Sequence, residues 1–231
     1  MSSLAPSTLS VVIPTLNEAE ELAETVRRAR RSPGIREIIV VDGGSADRTR
    51  EIAAELGCTV LTAPASRGGQ LRLGATAASS DVILFLHADT WLPPEAGRAA
   101  LACFQNPAVV GGGFWKVFRD PAWLMRGSRA RCGLRLWVGG RILGDQALFV
   151  RRDVLERIGG VPEVALMEEI EMCRRLRRVG RLVLAKATVS TSTRRFRKLG
   201  VLRTYLRMGH VTWRHWRGAN PEELRRLYEK D

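Results

Sequence analysis

The run Val82-Ile83-Leu84-Phe85-Leu86 has no polar position and stops at His87-Ala88-Asp89-Thr90. A strand apolar on both faces must be covered on both, as in a central strand of a sheet wound with helices on either side. Earlier segments repeat the pattern. Leu9-Ser10-Val11-Val12-Ile13 is stopped by Pro14 and the turn Thr15-Leu16-Asn17-Glu18, and Ile38–Val41 ends in Asp42-Gly43-Gly44-Ser45-Ala46-Asp47. Cys58–Leu61 reads as a third strand before Val82–Leu86. Helical spacing lies between them, over Ala19–Arg31 (Leu22, Val26 and Ala29 on one side), Arg48–Leu56 with Gly57 as its stop, and Leu71–Ala78 opened by Arg67-Gly68-Gly69-Gln70. Short apolar strands alternating with helices require right-handed crossovers and a mostly parallel sheet. The expected fold class is therefore α/β, a doubly wound and mostly parallel sheet. Its ligand rim, at the carboxyl ends of the strands, gathers Pro14–Glu18, Asp42–Asp47 and His87–Asp89.

The second half is less regular. The spacing predicts helices over Pro94–Phe104, Pro121–Val138, Val154–Ile158, Glu168–Val179, Val201–Trp216 and Pro221–Glu229. It predicts strands over Val109–Phe118, Ala147–Val150, Leu182–Leu184 and Ala187–Thr193. Trp123, Leu124, Leu134 and Trp137 are the apolar members of the Pro121–Val138 helix. No repeat or low-complexity linker divides the chain. The expected organisation is one domain over 1–195, in two halves (1–90 and 91–195), then a basic amphipathic helical tail over 196–231.

Charge is unevenly placed. The chain carries +13 overall, and residues 174–231 alone hold 17 Lys+Arg against 4 Asp+Glu. A cationic block of this kind expects an anionic partner. In Val201–Trp216 the arginines Arg203, Arg207 and Arg214 are interleaved with Leu202, Tyr205, Leu206, Val211, Trp213 and Trp216. That pattern suits a helix lying in a membrane interface. It equally suits a helix packed on its own domain or on a second subunit of a homodimer. No stacking-sheet motif or zinc spacing accompanies the charge, so nucleic acid is not an expected partner. No apolar run reaches the ~18 residues of a spanning helix, and Met1–Pro6 has no basic start or long apolar stretch of a secretory signal. Cys58, Cys103, Cys132 and Cys173 lack metal-type spacing and read as reduced thiols. The expectation is a cytoplasmic protein with peripheral contact to the cytoplasmic membrane face.

Four motifs in order carry a resemblance across nearly the whole chain: Val12–Glu18, Val41–Asp47, His87-Ala88-Asp89 and Glu168-Glu169. They resemble the two nucleotide loops, the Asp-x-Asp metal motif and the Glu-Asp pair of the inverting GT-A glycosyltransferases, glycosyltransferase family 2. Phe85–Thr90, Gly144-Asp145-Gln146 and Leu166–Glu169 further resemble a small bacterial subgroup described as rSAM/selenodomain-associated or arsenosugar-type. The resemblance implies a GT-A fold and sugar transfer from a UDP- or GDP-linked donor to a lipid or small hydroxylated acceptor. Its nucleotide site would use Pro14, Thr15, Asn17, Glu18, Asp42 and Gly43 from the first loops, then Arg67, Gln70, His87 and Ala88. Asp89 would hold Mn²⁺ or Mg²⁺. His87, where the family more often has aspartate, would either ligate the metal or donate a hydrogen bond to ribose or phosphate. Trp115, Gly144, Asp145 and Gln146 would lie on the acceptor side. The Arg- and aromatic-bearing segment Thr193–Lys198 is similar to one that closes over the diphosphate in family members.

The chemistry accords with these residue types. A leaving nucleoside diphosphate gains negative charge, which a carboxylate-held divalent cation offsets. Inversion by single displacement needs a base for the acceptor hydroxyl. Glu169 takes that position, with Glu168 as the alternative, although Glu168, Glu169 and Glu171 also suit a helix N-terminus for its dipole alone. Likewise Asp47 reads as a helix cap. A nucleotidyltransferase on a related fold would want a glycine-rich basic loop after the first strand, where this chain has Pro14-Thr15-Leu16-Asn17-Glu18. A non-catalytic binder of nucleotides or anionic surfaces is the remaining alternative.

Overall fold

A computed structural model describes residues 6–164, 166–220, 222–224 and 227, with the side chains of Leu124, His215 and Trp216 excepted. The first half follows the expected alternation: β1 (Leu9–Thr15), α1 (Ala19–Arg30), β2 (Ile35–Asp42), α2 (Thr49–Glu55), β3 (Thr59–Thr62), α3 (Arg67–Ala77) and β4 (Val82–Phe85). The second half adds β5 (Thr90–Trp91), α4 (Ala96–Cys103), β6 (Val109–Phe118), α5 (Ser128–Gly139), β7 (Phe149–Arg151), α6 (Arg152–Arg157), α7 (Glu168–Leu176), β8 (Arg181–Thr191), α8 (Arg194–Leu199) and α9 (Val201–Trp216).

Among the described residues the strands form one eight-stranded sheet in the order β3-β2-β1-β4-β7-β6-β8-β5. β1, β2, β3 and β4 pair in parallel, as do β6 and β8, whereas β7 runs antiparallel to both of its neighbours and β5 antiparallel to β8. Apolar side chains fill both faces. Val11, Ile13 and Leu84 pack with Leu22 and Val26 of α1 and Ala96 of α4. Val12, Val41 and Ile83 pack on the other side with Leu71 of α3, Val154 of α6 and Met172 of α7. This two-sided burial is why β1, β2 and β4 read as apolar runs rather than as alternating ones. The turns after these three strands consequently open on one rim.

Three details depart from the sequence expectation. The helix expected over Pro121–Val138 is broken: a 3-10 turn, Trp123–Met125, precedes Gly127 at φ 78, and α5 begins only at Ser128. A glycine in the left-handed region ends one helical turn and lets the chain change direction. The two strands expected over Leu182–Leu184 and Ala187–Thr193 are one strand, β8, with an irregularity. Phe114 pairs with Ala185 but Trp115 with Thr188, so Lys186 and Ala187 form a bulge where a break had been expected. β5 and α8 were not expected at all: two residues leave no period, and Arg194–Leu199 is a short, mostly basic turn. Of the final helix expected over Pro221–Glu229, Glu222–Leu224 and Leu227 are helical and the rest lies outside the described residues.

Candidate active site

The turns after β1 and β2 are knitted together before they meet any ligand. Asn17, at φ 55, donates its backbone N–H to Ser45 Oγ (2.8 Å) and accepts from the Ala46 N–H (2.9 Å). The Glu18 N–H reaches Thr49 Oγ1 at 2.8 Å, and Asp47 accepts from the Ala19 and Thr49 N–H groups at 3.1 and 3.0 Å. Asp42 is fully buried, and its carboxylate accepts from the Gly44 and Ser45 N–H groups, from Thr15 Oγ1 at 3.3 Å and from Ser45 Oγ. Gln70 donates to both the Thr15 and Val41 carbonyls, at 2.9 and 2.8 Å, and thereby ties α3 to the ends of β1 and β2. Gly43 sits in the same knot, where an added Cβ would lie 3.2 Å from Gln70 Nε2.

A cleft of about 430 Å³ opens above this knot, within the range of small-molecule sites. Pro14, Thr15 and Glu18 line it from the first loop, Arg67 and Gln70 from α3, and His87, Ala88 and Asp89 from the turn after β4. Met167, Glu168 and Glu169 at the start of α7 line it as well. α9 completes the lining through Met208, Val211 and Thr212. Thr25 of α1 donates to the Ala88 carbonyl at 2.6 Å, which fixes the turn carrying Asp89. Met167 holds φ 65 as the residue before α7, so the chain enters that helix through a backbone conformation that a methionine rarely adopts.

The cleft is rich in carboxylates. Burial raises the pKa of Asp89, with Arg194 and Arg119 pulling it back and Glu21 and Asp145 adding to the rise. Burial also raises that of Glu18, although Arg194 Nη2 binds both Glu18 oxygens, at 2.8 and 2.7 Å. Glu168 is 1% exposed and is pushed up to about 7 by burial first and by the charge of Glu169 second, against the attraction of Arg67, whose Nε lies 2.6 Å away. The Glu169 carboxylate accepts from the Gly144 N–H at 3.2 Å. Arg67 Nη2 also contacts His87 Nε2, and burial with the Arg67 charge lowers the imidazole to about 3. His87 is therefore neutral, with that ring nitrogen turned to a guanidinium.

The structure thus brings Pro14, Thr15, Glu18, Arg67, Gln70, His87, Ala88, Asp89, Glu168 and Glu169 to one cleft. Asn17, Asp42 and Gly43 stand behind its first wall, as the hydrogen bonds that hold it. Gly144 borders a narrow recess between His87 and Glu169. Gln146 is fully buried, donating to the Phe114 carbonyl and accepting from Leu143 N–H and Arg135. Trp115 packs under α5, its ring about 3.2 Å from where a Cβ on Gly133 would stand. Asp145 meets Lys116, whose ammonium is buried and holds the Asp145 carboxyl below the usual range despite the opposing effect of burial. Among the described residues no three Asp, Glu, His or Cys side chains converge to hold a metal unaided.

Sequence reasoning missed Lys116, Leu143, Met208, Val211 and Thr212. For Lys116 a signal existed: the two-residue period of β6 sets it on the same face as the buried Phe114 and Phe118. Nothing in the sequence placed α9 against the cleft.

Residues 10–159 match the model of the Glycosyl transferase family 2 domain. The chain belongs to that family. An undecaprenyl-phosphate 4-deoxy-4-formamido-L-arabinose transferase of Edwardsiella ictaluri is 34% identical over 157 residues, covering 62% of this chain and 48% of that one. The chain spans less than half the length of the curated relatives it matches. Among solved structures, mannosyltransferase PcManGT of Pyrobaculum calidifontis, in complex with GDP-Man and Mn²⁺, superposes with TM-score 0.70 at 17% identity, covering 98% of this chain and 69% of that one. Glucosyl-3-phosphoglycerate synthase of Mycobacterium tuberculosis, with Mn²⁺ and UDP, gives 0.57 at 20% identity, over 80% and 70% of the two chains. The expected GT-A fold is thus the observed one.

Proposed function

We propose that this family 2 protein is a metal-assisted, inverting glycosyltransferase that moves a sugar from a UDP- or GDP-linked donor to a lipid, such as a lipid phosphate, or to a small hydroxylated acceptor. One observation carries the reading: Asp89, at the carboxyl end of β4, and the Glu168–Glu169 pair, at the start of α7, line one cleft although they lie about 80 residues apart in the chain. The relatives' names support a lipid phosphate as acceptor, and the complexes of the structural neighbours support a nucleotide-sugar donor and a divalent cation. The motifs Gly144-Asp145-Gln146 and Leu166–Glu169 favour a place in the rSAM/selenodomain-associated subgroup.

The residues present fit a hard cation. The Asp89 carboxylate takes a long 3.4 Å hydrogen bond from Thr90 and sits where burial penalises its bare charge. An ion that draws its other ligands from diphosphate and water needs only one or two protein carboxylates. When bound, it supplies charge neutralisation at the leaving diphosphate. The chain's own groups do the rest. Arg67 on the cleft wall, and Arg194 bonded to the cleft residue Glu18, can exchange their present carboxylate partners for phosphate oxygens, and neutral His87 offers a hydrogen bond rather than a charge. For a hydroxyl acceptor Glu169 takes the proton as the base, with Glu168 as the alternative; an ionised lipid phosphate attacks through an oxygen that has no proton to give up. Asp42 and Asn17 act on the nucleotide through the loops they hold.

A thermal-shift panel of UDP, GDP and their sugars, with and without Mn²⁺, tests the reading. A ligand at about 100 times its Kd stabilises the folded form by ~2.7 kcal/mol, worth roughly 5–10 °C for a chain of this size. The expected result is a Mn²⁺-dependent shift that Asp89→Ala abolishes. An unchanged shift in that variant, or none with any nucleotide, would sink the proposal.

A further inference from the structure

Two neighbouring elements carry apolar faces that the cleft does not use. In α5, Leu134, Trp137 and Val138 recur at i, i+3 and i+4, opposite the buried Ser128 and Cys132. In α9, Leu202, Leu206 and Trp213 recur at i, i+4 and i+11, opposite Thr204 and Val211, which are buried. Trp123 projects from the 3-10 turn before α5. These seven side chains are between 50% and 79% exposed. Single exposed apolar residues are ordinary, but seven on adjoining elements, three of them tryptophan, are not.

The elements are packed together. Met125, from the turn that carries Trp123, is buried with Phe118 and Phe196 against Val201, Tyr205 and Met208. Arg131 of α5 donates to the Tyr205 hydroxyl at 3.1 Å, and its guanidinium lies 5.6 Å from the centre of that ring.

The charge around these faces has one sign. Residues 121–144 contain five arginines and no Asp or Glu, and residues 172–221 contain 14 Lys+Arg and no Asp or Glu. Of the acidic residues flanking these segments, Asp120 lies 3.8 Å from Arg197, Asp145 meets Lys116, Glu171 pairs with Arg174 and Arg175, and Glu223 pairs with Arg214 at 2.6 Å, while Glu222 is exposed. Among the described residues no helix is long and apolar enough to cross a membrane.

We propose that the exposed faces of α5 and α9 form one docking surface for an anionic lipid bilayer, on which the protein lies without spanning it. Leucine and tryptophan enter the headgroup boundary. Arginines on the same helices extend apolar stems along that boundary and leave their guanidinium groups at the phosphates. The complementarity is specific to a negatively charged leaflet, because a face without carboxylates has nothing to repel it. α9 serves two sides at once: Met208 and Val211 line the cleft, while Leu206 and Trp213 face outward. Docking would therefore lay α9, which also lines the cleft, against the lipid surface. That the acceptor arrives from this surface rests on the proposed glycosyl transfer; the docking itself does not.

Vesicle flotation of the full chain tests the surface, comparing phosphatidylcholine alone with a mixture containing about 30 mol% phosphatidylglycerol. Each basic residue near an anionic leaflet is worth roughly five-fold in partitioning, so at least ~30-fold preference for the mixture is expected. Leu134→Glu with Trp137→Glu, and separately Leu206→Glu with Trp213→Glu, should each lower partitioning by about ten-fold or more. Thermal melts should match the parent, since these side chains are exposed. Absence of flotation, equal flotation with both vesicle types, or variants that float like the parent would overturn the proposal. So would a concentration-dependent dimer in analytical ultracentrifugation that Trp137→Glu abolishes, because a second copy would then cover the face. A chain that floats but shows no nucleotide shift keeps this surface and loses the glycosyltransferase reading instead.

Discussion

Replacing Glu168 by glutamine should change how stability depends on pH. Glu168 is 1% exposed, and burial together with Glu169 pushes its carboxyl from the ordinary 4.5 up to about 7, against Arg67. A carboxyl with a raised folded pKa holds its proton more tightly in the native state than in the unfolded one. Its contribution is most favourable at low pH and is lost as pH rises from about 4.5 to about 7, where the unfolded chain has already released the proton. That separation of roughly 2.5 pH units, at ~1.36 kcal/mol each, amounts to about 3 kcal/mol. Glutamine keeps the shape of the neutral acid and has no proton to lose. The unfolding free energy of Glu168→Gln should therefore gain about 3 kcal/mol on the parent between about pH 4.5 and pH 8, or roughly 6–12 °C in Tm at the upper end. Urea unfolding of both proteins at four pH values across that window measures it. A difference that stays flat, or that grows in the parent's favour with pH, refutes the reasoning. Arg67 would then outweigh burial, and no protonatable carboxyl would stand beside Glu169 at neutral pH.

Glu169→Gln should lower kcat by about 10²–10⁴ while Mn²⁺-dependent nucleotide affinity stays within two-fold, read from nucleoside-diphosphate release and calorimetry. Lys116→Met strands the Asp145 carboxylate in the core and should cost ~3–5 kcal/mol in chemical denaturation, most of it recovered in the double variant with Asp145→Asn. Gly74→Ala should cost about 1–3 kcal/mol, because the added methyl would lie 2.3 Å from Val12 Cγ1 and 3.0 Å from Val41 Cγ2 at the α3 packing face. Gly209→Ala, with nothing within 4 Å of its Cβ, should instead stabilise α9 by about 0.5–1 kcal/mol.

The first half of the fold was legible because its signals are local. β1, β2 and β4 are buried on both faces, so the strand period disappears into apolar runs, and the polar residues ending them fall on one rim by topology alone. Pro14, Glu18 and Asp89 could be assigned to one rim for that reason, whereas Arg67 and Glu169 joined them only through the family resemblance. What those runs could not show is which rim residues face inward. Asp42 and Asn17 have the same chemistry as cleft residues, yet their acceptor groups are taken by Ser45, Gly44 and Ala46 across a loop contact. The second half was harder to read because its deciding features are breaks. Gly127 in the left-handed region splits a helix whose apolar spacing runs on, and the bulge at Lys186–Ala187 interrupts a strand that continues.

Sequence by itself determined the winding of the sheet, the family and the gathering of carboxylates at the strand ends, since each follows from residues close together in the chain. Tertiary structure alone decided that Lys116 neutralises Asp145, that Arg194 grips Glu18 across 176 residues of chain, and that α9 closes one side of the cleft. Those are contacts between segments far apart in sequence. No periodicity encodes them; they exist only once the packing of the core has fixed where each helix lies.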